Sequence, residues 1–222
     1  MEPVSDKNNF IYLICSLVIL LLAGALKDLF PSTLGQHLLQ ALSVVTLALP
    51  IAGFRSSRTR LNTGIFFAVA VLVIVVVSIL LDHVGLSYLH LFVLLAFYGW
   101  VTWMACRQVL FTGPIDGNKI VGAICIYLLM GVIWALLYLA IAQAVPGAFN
   151  GIEQRVWYDN FSDALYYSFV TLTTLGYGDI NPVTPIARFL AYFEAIVGVF
   201  YMAILVASLV GIRVSEINSD HH

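Results

Sequence analysis

Charge is what this sequence has least of. Asp, Glu, Lys and Arg make up 10% of its 222 residues, where soluble domains carry about a quarter. A chain so poor in charge, 61% hydrophobic and with a mean hydropathy of +0.98, cannot cover itself with polar surface and reads as a polytopic membrane protein. Its formal net charge of −2 gives no footing for nucleic acid. Cysteine is scarce too: Cys15, Cys106 and Cys125 sit in or at the ends of apolar segments without metal-ligand spacing, and read as small core hydrophobes. His37, His83 and His90 form no cluster, and only His221 and His222 are paired. Paired carboxylates, a His and Cys constellation and a nucleophile beside a base are all missing from the apolar segments, which argues against an enzyme.

What is present is apolar length. Crossing the hydrocarbon core takes about 20 residues of helix. The chain offers candidate spans at about 10–26, 34–54, 63–81, 86–106, 119–145 and 184–212, with Pro50 bending the end of the second. The first is too long, and its flank too acidic, for a cleaved leader, so it is expected in the mature protein. With both termini cytoplasmic, the inside carries Lys7, Arg55, Arg58, Arg60, Arg107, Lys119 and Arg213, against Lys27, Arg155 and Arg188 outside. The same choice puts Asp28, Asp82, Glu153, Asp159, Asp163 and Asp179 outside.

Between the last two spans lies Thr171 to Asp179, Thr-Leu-Thr-Thr-Leu-Gly-Tyr-Gly-Asp, whose glycines flank a single aromatic. Non-helical backbone at membrane depth survives only where protein buries it or it lines a watery path. Gly176 and Gly178 can adopt backbone angles closed to other residues, so that successive carbonyls point to one side. Ahead of this loop, Phe161 to Leu172 is amphipathic and too short to span, with Asn160 or Ser162 placed to cap it and Asp163 in its first turn. It reads as a pore helix whose negative carboxyl end favours a cation at mid-membrane.

On these residues the chain, over roughly 119–214, resembles the tetrameric potassium channels. In that family four loops of the Thr-Val-Gly-Tyr-Gly type replace an ion's hydration shell with backbone carbonyls. Here the loop is Thr174-Leu175-Gly176-Tyr177-Gly178, with Leu for Val. Tyr166-Tyr167 sits at the family's aromatic pair, Thr173 precedes the filter, Asp179 closes it, Pro182 follows, and Gly198 falls at the inner helix's hinge glycine. Phe193 to Tyr201 is similar to the inner helix of bacterial two-transmembrane channels. The resemblance implies potassium ions held at Thr174, Leu175, Gly176 and Tyr177, no cofactor beyond the permeant ion, a homotetramer in a bilayer, and a bacterial inner (plasma) membrane. It also implies that Val199, Met202, Val206 and Val210 face the cavity or lower pore. Glu194, an acid inside the last span, has two readings: a pH-sensitive group lining the cavity, or a carboxyl hydrogen-bonded behind the filter.

The expected fold is an all-α membrane protein. It divides into a four-helix part over 1–110, a pore domain over 111–214 and a short cytoplasmic tail over 215–222, with no ligand-binding domain after it. Six spans with the pore last is the plan of voltage-gated channels, yet Leu86 to Ala105 contains neither Lys nor Arg. A helix without charges cannot drive steep voltage gating. Arg55, Arg58 and Arg60 read as a topology anchor. A less selective monovalent cation channel and a subunit of a potassium-uptake system are the alternatives.

Overall fold

A computed structural model of the chain describes residues 9–26, 46, 58–81, 84–111, 117–153 and 155–219. Helices account for almost all of it: α1 (Asn9–Leu26), α2 (Arg58–Leu81), α3 (Val84–Phe111), α4 (Gly117–Ala144), α5 (Phe161–Leu172) and α6 (Pro185–Ser219). Among the described residues, four helices are long and apolar enough to cross a membrane, namely Leu61–Ser78 of α2, Gly85–Val109 of α3, all of α4, and Pro185–Ser208 of α6. Apart from Thr46, the candidate span at 34–54 lies outside the described residues, as does Arg55.

Helix ends follow local chemistry. α4 stops at Ala144 just before Pro146, whose ring cannot continue a helix, and Gly147 then turns the chain with φ +70°. α6 begins on Pro185, where the missing N–H costs nothing. α5 starts after Asn160, but this residue does not cap the helix with its side chain. Its Nδ2 donates to the Glu153 carbonyl at 2.7 Å, while its own carbonyl accepts the Ala164 N–H at 2.9 Å. The amide is thus taken by the loop that folds over the helix start.

α4 is the central post. It packs along α1, α3, α5 and α6, and α2 lies against α3. α1 turns Phe10, Leu13, Leu17 and Leu20 inward, one stripe at helical spacing, along α4, and they share one buried cluster with Ile126, Leu129 and Val132 of α4 and with Leu91, Phe97 and Val101 of α3. Its opposite face, Ile11, Val18 and Leu22, is exposed, as are Phe66, Val69 and Val73 of α2. Such faces suit lipid, and lipid tails gain nothing by expelling them, so helix association there rests on close packing and hydrogen bonds.

Two short strands, β1 (Phe149–Asn150) and β2 (Asn181–Pro182), pair antiparallel with Phe149 opposite Pro182 and Asn150 opposite Asn181. The Val183 N–H donates to the Ala148 carbonyl at 2.8 Å and Asn150 Nδ2 to Asn181 Oδ1 at 3.1 Å. This strap joins the segment before α5 to the segment after the Gly-Tyr-Gly loop. In the loop that leads to α5, Trp157 meets His90 of α3 edge to face at 5.1 Å.

A candidate ion pathway

The Gly-Tyr-Gly loop begins where α5 runs out of helix. Its last turn folds back on itself: the Thr173 N–H reaches the Phe169 carbonyl at 3.1 Å, Thr174 that of Thr171 at 2.9 Å, and Leu175 and Gly176 share that of Val170 at 2.9 and 3.2 Å. The Thr173 hydroxyl closes the end by donating to the Phe169 carbonyl at 2.6 Å. Beyond it the chain alternates. Thr174 has φ 59°, Gly176 φ 57° and Gly178 φ 83°, so every second residue is left-handed. Glycine takes that region freely, whereas a β-branched threonine there is strained. Strain of this kind persists only where surrounding structure imposes it, and it gathers at functional sites. The glycine spacing was visible in the sequence, but its extension back to Thr174 was not.

All of Thr173 to Asp179 is exposed in the single chain, with Leu175 at 55% and Tyr177 at 66%. The two tyrosines of α5 diverge, as neighbours on a helix must. Tyr166 donates its hydroxyl to Asp179 Oδ2 at 2.7 Å, fastening the helix to the end of the loop. That bond holds the Asp179 carboxyl below the usual carboxylate range. Tyr167 points the other way, into a buried cluster with Tyr138 at 4.9 Å and Phe149 at 5.7 Å between ring centres.

Behind the loop, α6 crosses α5 at its closest approach. A methyl group added at Gly198 would lie 2.3 Å from the Leu172 carbonyl oxygen, the last of α5, so glycine is required there for space. Tyr127 of α4 donates to the same carbonyl at 3.4 Å. Tyr127 also stacks on Tyr201 of α6, whose hydroxyl donates to the Ala123 carbonyl of α4 at 2.6 Å.

Glu194 lies one helical turn before Gly198 and is fully buried within the single chain. Tyr138 of α4 donates to its Oε2, and Ser168 of α5 lies 2.6 Å from its Oε1. The carboxyl therefore sits at the junction of α4, α5 and α6, behind the loop, and not on an open face. Sequence reading left that choice open and missed Ser168 and Tyr138. A signal existed, since Ser168 is a hydroxyl on the otherwise apolar stripe Phe161, Ala164, Leu165 and Leu172, and buried polar groups need partners. Val199, Met202 and Val206 are exposed along α6, and the Val210 side chain falls outside the described ones.

Residues 122–214 match the family model described as Ion channel. Over this segment the chain is similar to the channels of that family. The matched segment holds the whole loop, the Glu194 junction and Gly198, while residues 1–121 lie outside the match. An inward rectifier potassium channel of Paramagnetospirillum magnetotacticum is 34% identical over 88 residues, 40% of this chain and 27% of the relative. Two pore potassium channel c of Oryza sativa subsp. japonica is 35% identical over 82 residues, 35% of this chain and 18% of that one. Potassium voltage-gated channel subfamily KQT member 3 of Homo sapiens is 29% identical over 90 residues, 39% of this chain and 10% of the relative. The chain thus matches about a quarter or less of each of these relatives' lengths. No solved structure matches. The matched family is one of channels, not enzymes.

Proposed function

We propose that this chain is one subunit of a homotetrameric, potassium-selective channel that conducts passively. The observation that carries the proposal is the alternating left-handed backbone at Thr174, Gly176 and Gly178, exposed over its whole length at the end of a helix too short to span. One such strand cannot surround an ion. Four, with their carbonyls and the Thr174 hydroxyl turned to a common axis, would replace the water around a dehydrated potassium ion at Thr174, Leu175, Gly176 and Tyr177. α5 would then be re-entrant, and six spans would leave both termini in the cytoplasm of a bacterial cell. Val199, Met202, Val206 and Val210 would line the cavity or lower pore. The relatives' printed names, all potassium channels, support this reading.

The first four spans, 1–110, would form a collar and not a voltage sensor, because the span at 86–106 lacks basic residues up to Ala105. Arg58 lies exposed in the first turn of α2, where it would cross little of the field. Purified protein in planar bilayers with potassium on one side and sodium on the other tests the proposal. The reversal potential should approach that of potassium, and open probability should change little with voltage. A reversal potential near zero would overturn selectivity, and a steep sigmoid would overturn the collar.

A further inference from the structure

The junction behind the loop can be counted in protons. Three oxygen pairs there approach to hydrogen-bond distance: Tyr138 Oη with Glu194 Oε2, Ser168 Oγ with Glu194 Oε1 at 2.6 Å, and Ser168 Oγ with the Gly131 carbonyl at 2.8 Å. Each approach needs one proton between its oxygens, or the two lone-pair-bearing atoms simply repel. Tyr138 brings one and Ser168 brings one, while the Gly131 carbonyl brings none. An ionised carboxylate also brings none, which leaves three contacts and two protons.

We infer that Glu194 is a neutral carboxylic acid whose own proton completes the chain, running from Glu194 Oε1 to Ser168 Oγ and from Ser168 Oγ to the Gly131 carbonyl, with Tyr138 donating to Oε2. The surroundings agree. The titratable groups facing the carboxyl are Tyr127 and Tyr138 of α4 and Tyr167 of α5, and none of them carries positive charge. Among the described residues no Lys, Arg or His pairs with it, and the carboxyl has no exposed surface. A buried charge without a partner is the arrangement that proteins avoid by neutralising the group. Glu194 is thus a positioning residue: as an acid it both donates and accepts, and so ties α6 to α5 and α4 without placing a negative charge behind the ion path.

Infrared difference spectra between wild type and Glu194→Gln, on purified protein at neutral pH, test this. A protonated-carboxyl C=O band should appear in the wild type and vanish in the variant. Bands of an ionised carboxylate in its place would overturn the inference. Gln offers an N–H toward Ser168 and a carbonyl toward Tyr138, so Glu194→Gln should unfold near the wild-type temperature, while Glu194→Leu, which can do neither, should unfold earlier. Gln failing as badly as Leu would count as refutation. Ser168→Ala supplies a readout that packing alone would not move, because it removes the acceptor of the acid's proton. The wild-type band should then shift to higher frequency, and an unmoved band would refute the chain. None of these signals depends on which ion the pore passes, so the inference and the potassium proposal can fail separately.

Discussion

The helices before the matched segment and those within it differ in where most of their polar side chains bond. In α1, α2 and α3 several hydroxyls turn back on their own helix: Ser16 to the Leu13 carbonyl at 2.7 Å, Ser78 to Val75 at 2.8 Å, and Thr102 to Tyr98 at 2.7 Å. In the matched segment several reach across. Tyr201 bonds α6 to α4, Tyr127 bonds α4 to the end of α5, and Ser168 and Tyr138 meet at Glu194. There are exceptions: Tyr88 donates from α3 to the Gln143 carbonyl at 3.1 Å where the two parts touch, Tyr98 of α3 meets the Thr46 hydroxyl at 3.3 Å, and Ser208 of α6 turns back to the Ile204 carbonyl at 2.8 Å. Self-satisfied helices are held by shape and can be displaced without orphaning a donor. Helices bonded to one another have one register, because losing a buried partner costs about 1–3 kcal/mol. The first design suits a wall, and the second suits a part whose atoms must hold still.

Substitutions can break this contrast. The largest effect is expected at Gly198, where an added methyl meets backbone, which cannot move aside as a side chain can. Gly198→Ala should cost at least the about 1–3 kcal/mol of core overpacking and abolish assembly or current, read by thermal unfolding and bilayer recording. The corresponding change in the wall, Gly24→Ala, meets the tip of a side chain, Leu165 Cδ1 at 2.8 Å, which can shift where backbone cannot, and should be milder. If the two variants unfold alike, the contrast fails.

Next in size is Gly176→Ala. Nothing stands within 4 Å of the added methyl, so the whole effect is conformational, about 1–2 kcal/mol per subunit for a left-handed residue. Stability should fall modestly while potassium selectivity is lost, and normal selectivity at normal conductance would remove the loop from the ion path.

Tyr166→Phe should act through pH. The Asp179 carboxyl is depressed in the folded chain by the Tyr166 hydroxyl, so its contribution is present above the ordinary carboxylate range and lost as pH falls through the depressed value. Without the hydroxyl that loss moves to higher pH. Current recorded against external pH should therefore decline earlier in the variant, and an unshifted curve would show that the bond does not hold the loop. The smallest effect belongs to Ser78→Ala in α2, whose hydroxyl serves its own helix, with a change within about 0.5 kcal/mol expected on unfolding.

Legibility in the sequence follows the same divide. Helical periods and the Thr-Leu-Gly-Tyr-Gly spacing are local, and α2, α3, α4 and α6 contain nearly all of the expected spans, although α2 starts earlier and α3 and α6 run on further than expected. What depends on the angle of one residue around its axis was not legible. Tyr166 and Tyr167 looked alike as a pair, yet one serves the loop and the other the packing behind it. Glu194 could be placed in the span but not on a face. The two-residue strands are too short to leave any alternation, and the Asn160 side chain was claimed by a carbonyl, that of Glu153, which sequence alone could not bring near.

The strap of Phe149 against Pro182 and Asn150 against Asn181 has a consequence for engineering. It fastens both ends of the stretch that contains α5 and the loop, so the chain between Gly151 and Asn160 hangs from fixed points. Lengthening such a tethered arc costs little, about 0.6 kcal/mol for each doubling. The exposed part of that arc, around Arg155 and ahead of the buried Trp157, is accordingly where an insertion, a tag or an antibody epitope can be accepted while the loop keeps its geometry.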